Sequence, residues 1–350
     1  MENLINSKIK LNLGDLSIVP APLSKVRSRK ECLARYQGGQ MPYFVAPMDT
    51  VLDANNTQVF LDEGLNVCLP RGIKASGFKV LDNQKLFESV SLEDFVKVYC
   101  DYANKSITHW DVLIDIANGH MYDLWEACKV AKEIWGDQLT LMVGNIANPK
   151  AFHEFTEIGV DYIRVGIGGG NVCTTTTHTG VHYPMASLIM ECKAIANRYK
   201  RACKIIADGG ISNTADINIA LACGADFVMM GSIFNKTNEA CGQPYVFKYI
   251  PITNGLIPVF KFLGIEVKRA YRGMSTIQVQ KAWNKINLRP SEGIYKYQKV
   301  EFSLNELLKN IDHRLQTAMS YTGDFELETF VSGETELIQK TNDTYNRVNK

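Results

Sequence analysis

Three short segments of this chain carry residue types that can do chemistry together. Gly166-Ile-Gly168-Gly-Gly170-Asn171-Val172-Cys173-Thr174-Thr175-Thr176-Thr177 places a cysteine directly behind a run of glycines. Glycine backbone reaches left-handed and tightly turned conformations, so its N–H and C=O groups can converge on an ion or a phosphate. A cysteine on accessible backbone of this kind can present a thiolate, the attacking form of sulfur, and adjacent hydroxyls can relay protons. The plainer reading is a glycine turn, a buried cysteine and a threonine-rich loop. The second segment, Ile205-Ile-Ala-Asp208-Gly209-Gly210-Ile211, offers a carboxylate able to accept from sugar hydroxyls, with glycines that let a ligand approach the backbone. Its plainer reading makes Asp208 the cap of the next helix. In the third, Gly224-Ala-Asp-Phe-Val-Met-Met-Gly231-Ser232, the last two residues could bind phosphate through a backbone N–H and a hydroxyl. The second and third segments together match the phosphate site that many barrels build after their seventh and eighth strands, flavin-binding barrels included.

Elements able to position these turns recur along the chain. Mostly apolar runs cover Tyr43 to Ala46, Leu65 to Leu69, Val112 to Ile116, Leu139 to Val143, Tyr162 to Ile167, Lys204 to Ala207 and Phe227 to Met230, with a weaker one from Leu86 to Val90. Each is short and closely followed by turn residues, as expected of strands buried on both faces. Helical spacing separates them: Leu124, Ala127, Cys128, Ala131, Ile134 and Trp135 share a face, as do Phe152, Phe155 and Ile158 after Pro149. Ile217, Ala220, Leu221 and Cys223 precede Gly224, a C-cap glycine. The fold class is therefore α/β, a (β/α)8 barrel, with an open doubly wound sheet as the alternative. No linker divides the chain, so residues 1–350 read as one barrel domain with a catalytic flap and tail after position 250 or so. Leu256 to Tyr271 alternates like a hairpin, Leu304 to Met319 reads as an amphipathic helix, and the polar end from Glu334 reads as mobile.

The bulk numbers exclude several classes. With 350 residues, 46% hydrophobic, 21% charged and a net charge of +1, the chain is of globular composition without a basic field for nucleic acid. No apolar run is long enough for a membrane span, and the N-terminus has no signal-peptide core, so a cytoplasmic protein is expected. Nine cysteines without a C-x-x-C pair argue against a disulfide framework and a zinc site; Cys68, Cys128 and Cys223 read as buried apolar residues. His109, His153 and His313 lack metal-ligand spacing, and Trp125 and Trp135 read as packing residues. His178 and His182 flank Gly180 near the cysteine loop and are candidates for substrate contact.

The loop from Gly166 to Thr175, with T-G-V-H-Y-P at 179–184, resembles the catalytic-cysteine loop of the IMP dehydrogenase and GMP reductase family. Met48-Asp49-Thr50-Val51, I-A-D-G-G-I, G-A-D-F-V-M-M-G-S, Tyr271-Arg-Gly-Met274 and Ser320-Tyr-Thr-Gly323 match in the family's order, over roughly residues 10 to 325. The resemblance implies that Cys173 attacks C2 of a purine nucleotide to form a thioimidate, with Thr175 as proton carrier. It assigns Asp208, Gly209, Gly210, Gly231 and Ser232 to the ribose and phosphate, and Gly273, Met274 and Ser275 to the base. Carbonyls of Gly168, Gly170 and Cys173 would hold a monovalent cation, usually potassium, and the assembly would be a homotetramer.

Within that family the chain looks more like GMP reductase. It has no room for the inserted regulatory modules of IMP dehydrogenases, and its flap segment lacks their Arg-Tyr pair. Arg289-Pro-Ser291-Glu292-Gly293 looks like the reductase R-A-S-E-G, whose Glu works with the Thr, and Asp115-Ile-Ala117-Asn118-Gly119 looks like D-V-A-N-G. The implied reaction has Cys173 displace the 2-amino group of GMP as ammonia, Thr175 and Glu292 protonating it, before NADPH supplies hydride and IMP is released. Ser28, Arg29, Arg71, Asp115, Ala117, Ser320, Tyr321 and Gly323 would approach the dinucleotide. The chain departs from the pattern at Thr176, where the family has Arg, and at G-G-G-N for G-P-G-S, while Tyr271-Arg-Gly-Met and Tyr-Thr-Gly follow the dehydrogenase wording. A minimal IMP dehydrogenase, a non-catalytic purine-nucleotide-binding regulator and a flavin-dependent barrel remain the alternatives.

Overall fold

The computed structural model describes Ile5 and residues 9–101, 110–170, 175–247, 250–273 and 294–341. A short strand, β1 (Leu16–Ile18), precedes eight parallel ones: β2 (Tyr43–Val45), β3 (Asn66–Leu69), β4 (Leu86–Val90), β5 (Asp111–Asp115), β6 (Thr140–Ile146), β7 (Tyr162–Val165), β8 (Lys204–Asp208) and β9 (Phe227–Met230). They pair in sequence order, and β2 meets β9 with Phe44 opposite Met229, which closes the barrel and removes the open-sheet alternative. All eight expected strands form, their ends shifted by a few residues. The intervening helices start where the sequence caps them. Asn148 accepts from Lys150 N ahead of Pro149–Glu157, and Asn213 with Asp216 forms a capping box for Thr214–Ala222. Asp208 is thus not a helix cap; Asn213 does that work.

Strand side chains alternate between the barrel interior and the helix layer. Phe44, Cys68, Phe87, Leu113, Met142, Ile206, Phe227 and Met229 fill the inside. Val112, Ile114, Ile163, Val165, Ile205 and Ala207 pack outward beneath the helices. Toward the strand starts the interior is closed by aromatic rings, with Phe44 edge-on to Phe227 at 5.2 Å and Phe87 edge-on to Tyr162 at 5.4 Å. Tyr36 seals that end, its hydroxyl donating to the Asp226 carbonyl. The same alternation, carried two residues past Leu113, Tyr162 and Ile206, turns Asp115, Arg164 and Asp208 inward at the strand ends.

After β9 the chain builds a second sheet of β10 (Pro244–Val246), β11 (Ile250–Pro251), β12 (Lys268–Arg272) and β13 (Tyr295–Lys299), all antiparallel, in the order β11-β10-β12-β13. The expected hairpin over Leu256–Tyr271 does not form. Ile257–Phe262 is a helix with Pro258 in its first turn, and β12 pairs instead with β13, Ala270 opposite Tyr297. Over six residues a helical stripe and a strand alternation look alike, and only Ile257 of that helix is buried. Arg269 anchors this sheet from within, fully buried. Its five N–H groups go to the carbonyls of Gly242, Asn235, Thr237 and Asn238 and to Asn254 Oδ1, and burial lowers its pKa to about 10.

The amphipathic helix forms as expected, from Leu304 to Thr322, capped by Ser303 and Glu306 and ended by Gly323 in a left-handed turn. The end of the chain differs from expectation. Within the region read as mobile, β14 (Leu337–Gln339) pairs antiparallel with β1, and Leu337 is buried. A three-residue strand pairing across the whole chain length leaves no local pattern to detect. Positions 342–350 lie outside the described residues.

Candidate active site

The open end of the barrel, where its strands finish, holds a layer of charge above the apolar interior. Arg164, only 7% exposed, lies at its centre. Its Nε donates to Asp208 Oδ2 at 3.0 Å, Nη1 to Asp115 Oδ1 at 2.8 Å and Nη2 to Asn145 Oδ1 at 2.6 Å. Burial works against this guanidinium, but the carboxylates of Asp208 and Asp115 outweigh it and hold its pKa above the ordinary arginine range. Asn145 Nδ2 donates to Asp208 Oδ2 at 2.8 Å and to the Gly166 carbonyl at 2.9 Å. Arg71 approaches from the turn after β3, 3.6 Å from Asp115 Oδ2, and also donates to the Asp115 carbonyl. Gly144 makes room for this layer, since a Cβ there would lie 2.6 Å from both Cβ and O of Arg164. Among the described residues, Asp208 Oδ1 receives no hydrogen bond, so this carboxylate is oriented by one oxygen and able to accept through the other.

The three turns singled out from sequence meet around Asp208. Gly166, Gly169 and Gly170 lie against the Asp208-Gly209-Gly210 turn; a Cβ on Gly166 would sit 2.3 Å from the Asp208 carbonyl, and one on Gly210 would sit 3.1 Å from that of Gly169. Both Gly209 (φ +98°) and Gly210 (φ +78°) occupy the left-handed region that only glycine adopts cheaply. Ser232 reaches back to the same turn, its hydroxyl 3.4 Å from the Ile211 carbonyl. Gly231 is overlain by Met48 and Tyr271, and the Tyr271 hydroxyl contacts Met48 Sδ at 3.2 Å. Burial, then the nearby Asp208 carboxylate, pushes the Tyr271 pKa up, so it stays a neutral donor. Arg272 pairs with Asp49 at 2.7 Å and ties β12 to the turn after β2.

On the other side, the Asp115–Gly119 turn is fastened to β6. Gly119 N donates to the Asn145 carbonyl at 2.9 Å, and a Cβ at Gly119 would collide with that oxygen at 2.6 Å. His120 Nε2 accepts from Ala147 N at 2.9 Å, which fixes a neutral ring with its proton on Nδ1. Desolvation lowers the His120 pKa below 6.5. A base depressed in the folded state gives stability that is full above pH 6.5 and is lost as pH falls through its folded value. His120→Gln keeps an acceptor that does not titrate. Urea midpoints measured from pH 7 to pH 5 should therefore fall less steeply in the variant than in the wild type; equal slopes would remove His120 from the acid response.

The structure thus brings together Asp208, Gly209, Gly210, Gly231, Ser232, Gly168 and Gly170, with Arg71, Asp115 and the exposed Ala117 on the adjacent rim. Gly273 is buried at the end of β12. Thr175 opens the short helix Thr175–Thr179, but its side chain, together with Cys173, Met274, Ser275, Arg289, Ser291, Glu292 and Gly293, lies outside the described residues. The remaining residues assigned to the dinucleotide form a separate group. Ser28 caps the turn Arg29–Glu31, Ser24 Oγ donates to the Ser320 carbonyl at 2.8 Å, and Ala21 N donates to that of Tyr321. This group sits at the far end of the Leu304–Thr322 helix. That helix starts beside Glu239 and, at 19 residues, runs about 28 Å toward the strand starts.

Sequence reading missed Arg164 and Asn145, although an arginine inside the apolar run Tyr-Ile-Arg-Val was a usable signal. The plainer readings hold elsewhere. Cys68, Cys128 and Cys223 are buried, Trp125 and Trp135 donate to the Glu154 and Tyr99 carbonyls, and His153 and His313 lie on helices. His109 is outside the described residues, among which no cluster of metal-ligating side chains and no helix long and apolar enough to cross a membrane occurs. A cleft of about 620 Å³ at the strand-start end is lined by several groups already paired, among them Lys132 with Asp161 at 3.0 Å and Lys204 with Asp226 at 3.3 Å.

Comparison with known proteins gives this geometry a family. A profile described as the IMP dehydrogenase / GMP reductase domain matches residues 107–348. A GMP reductase from Chromobacterium violaceum is 30% identical over 341 residues, covering 95% of this chain and 98% of that protein. An inosine-5'-monophosphate dehydrogenase from Chlorobaculum parvum is 41% identical over 137 residues, where the match spans 39% of this chain and 27% of the relative. Human GMP reductase 1 is 33% identical over 178 residues, 51% of this chain and 47% of that one.

Proposed function

Since this chain belongs to the IMP dehydrogenase / GMP reductase family of purine-nucleotide oxidoreductases, we propose that it is a GMP reductase-like enzyme, converting GMP or a related purine nucleotide to IMP and ammonia with NADPH. The observation that carries this reading is the packing of the Gly166–Gly170 loop against the Asp208–Gly210 turn, which would bring the sulfur that follows the loop to a nucleotide held by that turn. The near full-length match to a GMP reductase supports the reductase over the dehydrogenase.

In this reading Asp208 Oδ1 accepts from the ribose hydroxyls, and the backbone of Gly209, Gly210, Gly231 and Ser232 faces the phosphate. Gly273, Met274, Ser275, Arg289, Ser291 and Gly293 would hold the base. Cys173 attacks C2, the 2-amino group leaves as ammonia, and Thr175 and Glu292 supply the proton it needs. NADPH, when bound, supplies hydride to C2, and the C–S bond breaks to release IMP and the thiolate. Arg71, Asp115 and Ala117 fit the dinucleotide, since they line the rim beside the ionic layer and Arg71 brings positive charge there. Ser28, Arg29, Ser320, Tyr321 and Gly323 would serve it only in an assembly such as a homotetramer, where another copy's mouth meets that end of the barrel. Carbonyls of Gly168, Gly170 and Cys173 would hold potassium and stiffen the loop. The proposed location is the cytoplasm.

The 41% match to a dehydrogenase keeps one second reading, IMP oxidation with NAD. A single assay separates the two. Purified protein is expected to consume NADPH only when GMP is present, giving IMP and ammonia in equal amounts. Reduction of NAD with IMP and none of the former would replace the reductase by the dehydrogenase.

A further inference from the structure

We infer that His182 is a positioning residue that closes the neck of the cysteine loop and so sets the turnover rate. His182 Nδ1 lies 3.0 Å from the Ile167 carbonyl, fifteen positions earlier in the chain. A carbonyl can only accept, so Nδ1 carries the proton and donates. The bond joins Ile167, ahead of Cys173, to His182, behind it, so the two flanks of that segment are tied together.

The neighbouring contacts show why this bond controls orientation. The Gly166 carbonyl is already held by Asn145 Nδ2, itself fixed by Arg164 and Asp208. With His182 on Ile167, two successive carbonyls entering the loop are each held by a side-chain donor. Gly168 follows with φ +77°, and Thr176 lies against it so closely that a Cβ on Gly168 would be 1.8 Å from Thr176 Oγ1. The exit strand of the loop is equally braced: Gly180 N donates to the Thr176 carbonyl, the Tyr183 hydroxyl to Glu191, and Met185 N to Asn12 Oδ1. Met185 Cε in turn packs against Gly166. Thr176 and Met185 touch the entry by packing, and His182 adds a hydrogen bond between exit and entry. Without it the Asp208–Gly210 and Gly231–Ser232 turns stay in place, but residues 176–182 lose a tether to the loop's entry.

This inference rests on the reading of Cys173 as the nucleophile, and the test keeps the two apart. In the full-length protein, His182→Ala is expected to lower kcat about fivefold to tenfold, the effect of one hydrogen bond, with KM for GMP changed less than twofold. Amide hydrogen exchange across residues 176–182 should quicken in the same variant. His182→Asn places a donor near the Nδ1 position and should restore most of kcat and of the protection. Unchanged exchange in the alanine variant, or an asparagine variant no better than alanine, overturns the role of His182. Full turnover by Cys173→Ala would instead overturn the nucleophile, while the exchange data would still report on the neck.

Discussion

Cys173→Ala is expected to lower turnover by about 10⁴-fold or more while leaving GMP affinity within a few-fold of the wild type. The size follows from the role: without the sulfur there is no covalent route by which the 2-amino group can leave, and removal of a nucleophile that works with other groups forfeits nearly all of their joint effect. Affinity persists because the contacts proposed for ribose and phosphate come from the Asp208–Gly210 and Gly231–Ser232 turns, whose shape is set by Arg164, Asn145 and Ile211. Steady-state NADPH consumption and calorimetric titration with GMP measure the two halves separately. Turnover that survives the substitution would remove the thioimidate from the mechanism; a joint loss of binding would mean that the sulfur holds the ligand in the ground state.

Arg164→Met is the second large expectation, and it acts on stability. Methionine keeps the apolar volume but removes the one cation shared by Asp208, Asp115 and Asn145 inside the barrel. Leaving buried carboxylates without their counter-ion costs about 3–5 kcal/mol. Arg71 remains near Asp115, so the loss falls mainly on Asp208. The urea midpoint should drop accordingly, and adding Asp208→Asn to the same chain should recover part of it, because an uncharged amide needs no counter-ion. An unfolding free energy within about 0.5 kcal/mol of the wild type, the usual range for inconsequential surface changes, would mean that the layer does not hold the barrel together.

The barrel was readable in the sequence because strands buried on both faces leave unbroken apolar runs, as in Phe227–Met230. Leu86–Val90 gave a weaker signal since Glu88 interrupts it; that carboxylate is buried by accepting from Ala75 N and Lys74. The three turns were legible from their glycines, whose positive φ angles and close approaches leave little choice of residue. Arg164 and Asn145 were not, because a single polar residue within a strand does not announce which partners the other strands will bring to it. The Ile257–Phe262 helix was misread and β14 escaped notice for a related reason: each is too short for a period to emerge, and their placement depends on distant segments. Cys173 and Glu292 were assigned by resemblance, and their geometry falls outside the described residues.

The aromatic floor of the barrel has an electrical consequence. Rings of Phe44, Phe87, Tyr162 and Phe227 seal the interior from the side opposite the mouth, so no aqueous ions can reach the underside of Arg164. Mobile salt weakens attraction between charges only where it can come between them. The guanidinium and its two carboxylates therefore behave as an insulated fixture that answers to whatever ligand arrives from above. Pairs on the outer surface, such as Arg201 with Asp137, stand in the electrolyte and fade as its concentration rises.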